Sequence, residues 1–220
     1  WLPTSAPVRE DLPPYLRRAL DWPSAEPIHL TAENAGHYLM LLWPLGLANF
    51  MAANRSSRVN GPYLDRLAST AGWTLGREPR GAAYFNRFPI VPLTAEQEAT
   101  VVRVAENIFR PCCNNSTFYQ DCNHGSALLG LLELAVAQGL DEQALYREAL
   151  AFNCMWFPAK YVQTAMLFKV VEGIDWPDLP PAVPLGYRYS AIDGWRGAVR
   201  DVLARIPNLP KPESRTSCSI

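Results

Sequence analysis

Positive charge never gathers in this chain. Its 20 Lys and Arg residues are scattered among 21 Asp and Glu, for a formal net charge of −1. That excludes a nucleic-acid footprint, which needs clustered cations to displace condensed counterions, and it excludes a polybasic membrane-surface patch as well. Charged residues are few (19%) beside 49% hydrophobic ones, a balance that favours a buried core over intrinsic disorder. There is no glycine-rich phosphate loop, dinucleotide fingerprint, Gly-x-Ser-x-Gly elbow or Cys-x-x-Cys-His haem attachment. No segment alternates apolar and polar residues as a half-buried strand does, and no internal repeat is visible. The uncharged stretch from Ala35 to Asn54 matches a bilayer span in length. His37, Pro44, Asn49 and two glycines interrupt it and no basic cluster flanks its start, so a buried helix is expected there, not a membrane span.

What is present reads as one all-α domain. Proline is frequent, and Pro3, Pro7, Pro13, Pro14, Pro23 and Pro27 fall within residues 1–30, which predicts a proline-rich extended N-terminal arm with one short helix around Tyr15 to Leu20. A helical domain is expected over 31–206 and a polar tail over 207–220. Thr31 reads as the N-cap of a long apolar helix reaching about Asn54, bent at Pro44. Gly and Pro punctuate residues 55–93, a structured loop whose aromatics Trp73, Tyr84, Phe85 and Phe88 pack onto the helices. Thr94 followed by Gln97 is a capping-box pattern that opens an amphipathic helix to Phe109. Residues 125–138 are apolar nearly all round, the mark of a buried central helix, and Gly139 is placed to end it. Helices are further expected from Asp141 to Phe152, from Pro158 to Glu172 and over Trp195 to Ile206.

The chemistry concentrates in one stretch, Pro111-Cys112-Cys113-Asn114-Asn115-Ser116-Thr117-Phe118-Tyr119-Gln120-Asp121-Cys122-Asn123-His124-Gly125. Three thiols and an imidazole precede the most apolar helix. Asp121 or Asn123 can cap that helix, which puts Cys122 and His124 in or beside its first turn, where unpaired N–H groups favour the thiolate. The set Cys112, Cys113, Cys122 and His124 offers soft ligands suited to zinc or copper. Cys154, expected in a turn between two helices, adds a fourth thiolate that makes an iron–sulfur centre possible. The alternative is disulfide pairing among the same cysteines, and a further alternative is a Cys122 nucleophile with His29 or His37 as its base. Asn54-Arg55-Ser56 and Asn115-Ser116-Thr117 fit the glycosylation acceptor pattern. Glu133 inside the apolar helix is expected to meet an arginine or a backbone partner, because an unpaired buried charge is so costly. Cys218 sits in the polar tail.

These readings give a metal-binding or metal-centred redox protein, its Cys/His site at a helix N-terminus, serving metal handling or electron transfer. The alternative is a disulfide-stabilised helical module, or accessory subunit, whose N-terminal arm contacts a protein partner. The reaction, if there is one, is not named by the residues. The chain opens on Trp1 and not on Met, so a removed leader is expected upstream and an extracytoplasmic location, periplasmic or secreted, is favoured.

Overall fold

The computed structural model describes residues 27–68 and 78–209, together with Pro14 and Arg17. Most of the expected N-terminal arm lies outside the described residues, as do Trp73, the end of the tail and Cys218. The all-α expectation holds: five helices of ten residues or more are joined by turns, and the described residues contain only isolated bridges and no strand.

Helix α1 spans Ala35–Ala48, shorter at both ends than the helix expected from a Thr31 cap to about Asn54. At the start, the Thr31 N–H donates to Asn34 Oδ1 (2.8 Å) and the Asn34 N–H to Thr31 Oγ1 (3.3 Å). This closed turn makes Asn34, not Thr31, the residue before the helix. At the far end Asn49 turns extended and its side chain pairs with the backbone of Val91 in both directions, donating to its carbonyl (3.2 Å) and accepting from its N–H (2.8 Å). That exchange stops the helix, and a 3-10 turn, Ala52–Ser56, follows. Pro44 stays inside the helix. Among the described residues no helix is long and apolar enough to cross a membrane.

Helix α2, Ala95–Asn107, begins with the capping box read from Thr94 and Gln97, both reciprocal bonds being made. Helix α3, Asn123–Ala137, is buried over most of its circumference, and Gly139 (φ +84°) ends it in the left-handed conformation that a glycine adopts without penalty. Helix α4 runs from Glu142 to Trp156, capped by Asp141, and so absorbs Cys154, which was expected in a turn. Helix α5, Pro158–Leu167, carries proline in its first turn and passes into one π-helical turn, Phe168–Glu172. The last helix is present as expected from Trp195, but it starts earlier, at Ile192, passes through a π segment, Arg196–Arg200, and ends at Leu203; two short helices, Ala182–Leu185 and Tyr187–Ser190, precede it. Trp195, Val199 and Leu203 still bury against Leu167 as one apolar stripe.

The centre of the molecule is the contact between α1 and α3. A Cβ on Gly46 would collide with the backbone of Ser126 and Gly130, and a Cβ on Gly130 would lie 2.7 Å from the Leu42 carbonyl oxygen and 2.8 Å from the Gly46 nitrogen. Two glycines therefore let the helices touch main chain to main chain. They run in the same direction: the indole of Trp156 donates to Ala35 O at the start of α1 (2.9 Å) and packs edge-on against His124 at the start of α3. Leu39, Leu42, Val101, Ile108, Leu128, Leu132, Leu145 and Phe152 fill the space among α1, α2, α3 and α4.

One residue breaks the apolar pattern. Glu133 is fully buried, and neither carboxylate oxygen has a hydrogen-bond partner, contrary to the partner expected for it. Burial holds its pKa well above the usual carboxylate range, against a smaller pull from the adjoining Asn49 amide and with a further push from Glu98. The folded chain thus binds a proton that the unfolded chain releases near pH 4.5, so stability falls as pH rises from that value through the raised folded one. Glu133→Gln, neutral at every pH, should flatten this dependence and gain stability at pH 8 but not at pH 4. Urea unfolding at the two pH values checks it; parallel losses in variant and parent would mean that Glu133 is ionised in the native state.

Candidate metal centre

The segment between α2 and α3 is held at its neck. Phe109 and Ser116 form an antiparallel bridge, and the Thr117 N–H donates to Ile108 O (2.8 Å). Phe109 O in turn accepts from Ser190 Oγ (2.8 Å) and Asn153 Nδ2 (3.3 Å). The loop 110–121 is therefore anchored to the main core and to the C-terminal helices at once.

Inside it lies Arg110, with no solvent exposure. Its Nη2 donates to Asp121 Oδ1 (2.8 Å), Cys113 Sγ (3.1 Å) and Asn115 O (3.2 Å), while Nε and Nη1 find no partner. Gly125 makes room for it, since a Cβ there would fall on the guanidinium. A second bond, Asn115 Nδ2 to Asp121 Oδ2 (2.6 Å), steadies the carboxylate. Burial works against the charge on Arg110, but the sulfurs of Cys122, Cys113 and Cys112 and the Asp121 carboxylate more than offset it. The arginine stays protonated. Sequence reading missed this residue because an Arg is ordinarily a surface side chain; the signal available was the pairing of one Arg with Asp121 and Gly125 inside the same short stretch.

Around this cation the structure assembles Cys112, Cys122 and His124, whose ligand atoms all lie within 4.8 Å of one another. Cys112 Sγ and Cys122 Sγ are 3.8 Å apart. A disulfide requires about 2.05 Å, and among the described residues all four cysteines are free. The disulfide-stabilised alternative thus finds no bonded pair there. Cys122 is the N-cap of α3, its side chain making no capping bond, so neither Asp121 nor Asn123 takes that place. The sulfur is left free to face the loop. His124 is wedged against Phe157 (ring centroids 4.7 Å apart) and Trp156 (5.6 Å). Burial, aided by Arg110, depresses its pKa to about 4. The imidazole is consequently neutral at pH 7 and has a lone pair to offer.

Cys113 stands beside this group. Its sulfur interacts with those of Cys112 and Cys122, and with Arg110 close by it is held well below the ordinary thiol range. Cys112 is pushed up by its hydrogen bonds to the other two thiols and by burial. Contact with Cys112 draws Cys122 down, but contact with Cys113 and burial raise it. Cys154 does not join the group of three; burial within α4 pushes its thiol up to about 12, and Met155 beside it is exposed. Of the two glycosylation triplets, Asn54 is fully buried with Gln120 Nε2 bonded to its side chain (3.2 Å), so it is closed to modification.

The fold and the site together define an all-α protein with a Cys/His group able to hold a metal ion. Comparison with known protein families, with characterised proteins and with solved structures finds no match.

Proposed function

We propose that this protein binds a divalent soft metal ion, zinc foremost, through Cys112, Cys122 and His124, with the fourth coordination position open for exchange. The observation that carries this is the 3.8 Å separation of the two sulfurs. Two thiolates on a tetrahedral zinc at a zinc–sulfur distance of about 2.3 Å stand about 3.8 Å apart. The two sulfurs already stand at that separation and lose their protons on binding, and the His124 nitrogen, within 4.8 Å of both, closes on the ion. Two thiolates and a neutral imidazole also cancel the charge of a divalent ion, which avoids burying a net charge at the centre. A bound zinc supplies Lewis acidity and exchangeable ligand positions. The protein fixes Cys112 through the loop and Cys122 through α3, and it turns the imidazole by the Trp156 and Phe157 contacts. An iron–sulfur centre is less well supported, because Cys154 stands outside the group.

Protein purified without chelator should carry about one equivalent of zinc, released on acidification as the ligands regain their protons. Cys122→Ser should abolish binding and His124→Ala should weaken it by about 10–100-fold or more, the range seen when support of a metal ligand is lost. Metal analysis with competition against a chromogenic chelator measures both. Copper in place of zinc would correct the metal; full stoichiometry in both variants would move the site elsewhere.

A further inference from the structure

The two sulfurs that would hold the ion are also in contact with each other. Cys112 Sγ and Cys122 Sγ stand 3.8 Å apart, both as free thiols, and a disulfide would bring them to about 2.05 Å. Cys112 lies in the loop between α2 and α3, while Cys122 stands at the head of α3 with a side chain that makes no capping bond. Both residues are half-buried and not sealed, so a small oxidant can reach them. The other two described cysteines are placed differently. Cys113 Sγ faces Arg110 Nη2 (3.1 Å) and Asn115 O (3.9 Å), and Cys154 lies outside the group.

We propose that Cys112 and Cys122 form a reversible redox couple, and that their oxidation to a disulfide by hydrogen peroxide discharges the metal ion. The release rests on the zinc reading above; the couple itself requires only the two sulfurs. Three features carry it. First, the separation that suits two ligands of one ion also puts each sulfur within reach of the other when the ion is gone. Second, His124 is the one ligand of the three that this reaction spares. The thiolate is the form of cysteine that ligates a metal, so a centre whose sulfurs are joined keeps one neutral donor. Third, a sulfur oxidised to the sulfenic acid meets a thiol already in contact with it, and condensation to the disulfide forestalls the irreversible higher acids.

The steps balance as follows. One sulfur attacks a peroxide oxygen, the O–O bond breaks, and a sulfenic acid and water form. The second sulfur attacks the first, the S–O bond breaks, and a second water leaves. From the zinc-bound thiolate pair, one hydrogen peroxide and two protons from solvent give the disulfide, free zinc ion and two waters; two electrons pass from the sulfurs to the peroxide. A dithiol reductant returns both electrons and restores the pair.

The test treats the zinc-loaded full chain with hydrogen peroxide while a chromogenic chelator reports free zinc. The unreduced chain is then digested with chymotrypsin, which cuts between the two cysteines at Phe118 and Tyr119, and weighed by mass spectrometry. The parent protein should lose its zinc completely, lose two hydrogens in mass, and yield a peptide containing Cys112 linked to one containing Cys122. Dithiothreitol followed by fresh zinc chloride should restore the loading. The same link should form in Cys113→Ser and be absent from Cys112→Ser, both taken zinc-free so that metal affinity does not enter. A link that survives in Cys112→Ser or disappears from Cys113→Ser would overturn the pairing. So would oxygen added to separate sulfurs with no link, and zinc retained after the link has formed would overturn the release. A parent protein that takes up no zinc would overturn the metal reading and the release with it, while the link, sought in that same zinc-free sample, still decides the couple.

Discussion

Asp121→Ala is expected to cost about 3–5 kcal/mol, the scale on which a buried ion pair fails when one partner is removed. The substitution leaves Arg110 fully enclosed, with its strongest acceptor gone and two of its nitrogens already unpartnered. The guanidinium cannot escape by losing its proton, and Cys113 and two backbone carbonyls are its remaining acceptors. Against a total stability of about 5–15 kcal/mol for a natural domain, such a loss brings unfolded protein into view. Urea unfolding in the presence of a chelator isolates this effect from any bound metal. Removing both charges, as Arg110→Met with Asp121→Ala, should recover part of the loss, because the damage lies in the orphaned charge. A single-variant cost under about 1 kcal/mol, the worth of an exposed pair, would mean that water reaches Arg110.

Leu132→Ala should destabilise by about 2–5 kcal/mol, the range for truncating a buried leucine. Leu132 is fully enclosed in the cluster formed by α1, α2, α3 and α4. Leu134, two positions on and half-buried, provides the internal comparison. Its truncation should cost clearly less in the same urea titration. Equal costs would show that α3 is not more enclosed at Leu132, and a change below about half a kcal/mol would put α3 at the surface.

The parts of this fold that could be read in advance are those decided by neighbours in sequence. The Thr94–Gln97 box, the Gly139 terminator, the Asp141 cap and Pro158 at the head of α5 all depend on contacts within a turn or two. The errors came where a distant partner outbid the local signal. Asn49 ends α1 early because it has Val91 to bond, and nothing near Asn49 in the sequence announces that. Thr31 does make the reciprocal side-chain bonds of a cap with Asn34, but they close a separate turn, and the regular helix begins only at Ala35. Cys154 looked like a turn residue because Phe157-Pro158 follows, yet Asn153 reaches across to Phe109 O and Tyr161 Oη and keeps the helix going. For the site, the clustering of Cys112, Cys122 and His124 was legible from residue type and from their position before an apolar helix. That Cys113 would be turned toward a buried Arg110 was not, because the arrangement depends on the absence of a side chain at Gly125.

The glycine contact between α1 and α3 has a bearing on how the metal site can move. Where helices meet through side chains, a rotamer change lets one slide past the other; at Gly46 and Gly130 there is no such cushion, and the two backbones behave as a fixed hinge pin. Cys122 and His124 ride on the helix that this pin immobilises, whereas Cys112, Cys113 and Arg110 ride on a loop. At the proposed metal site the α3 side is therefore fixed, and any adjustment between ion-free and ion-bound forms falls to residues 110–121. Grip on the ion should accordingly respond to changes along 110–121 far more than to changes on the outer faces of the bundle.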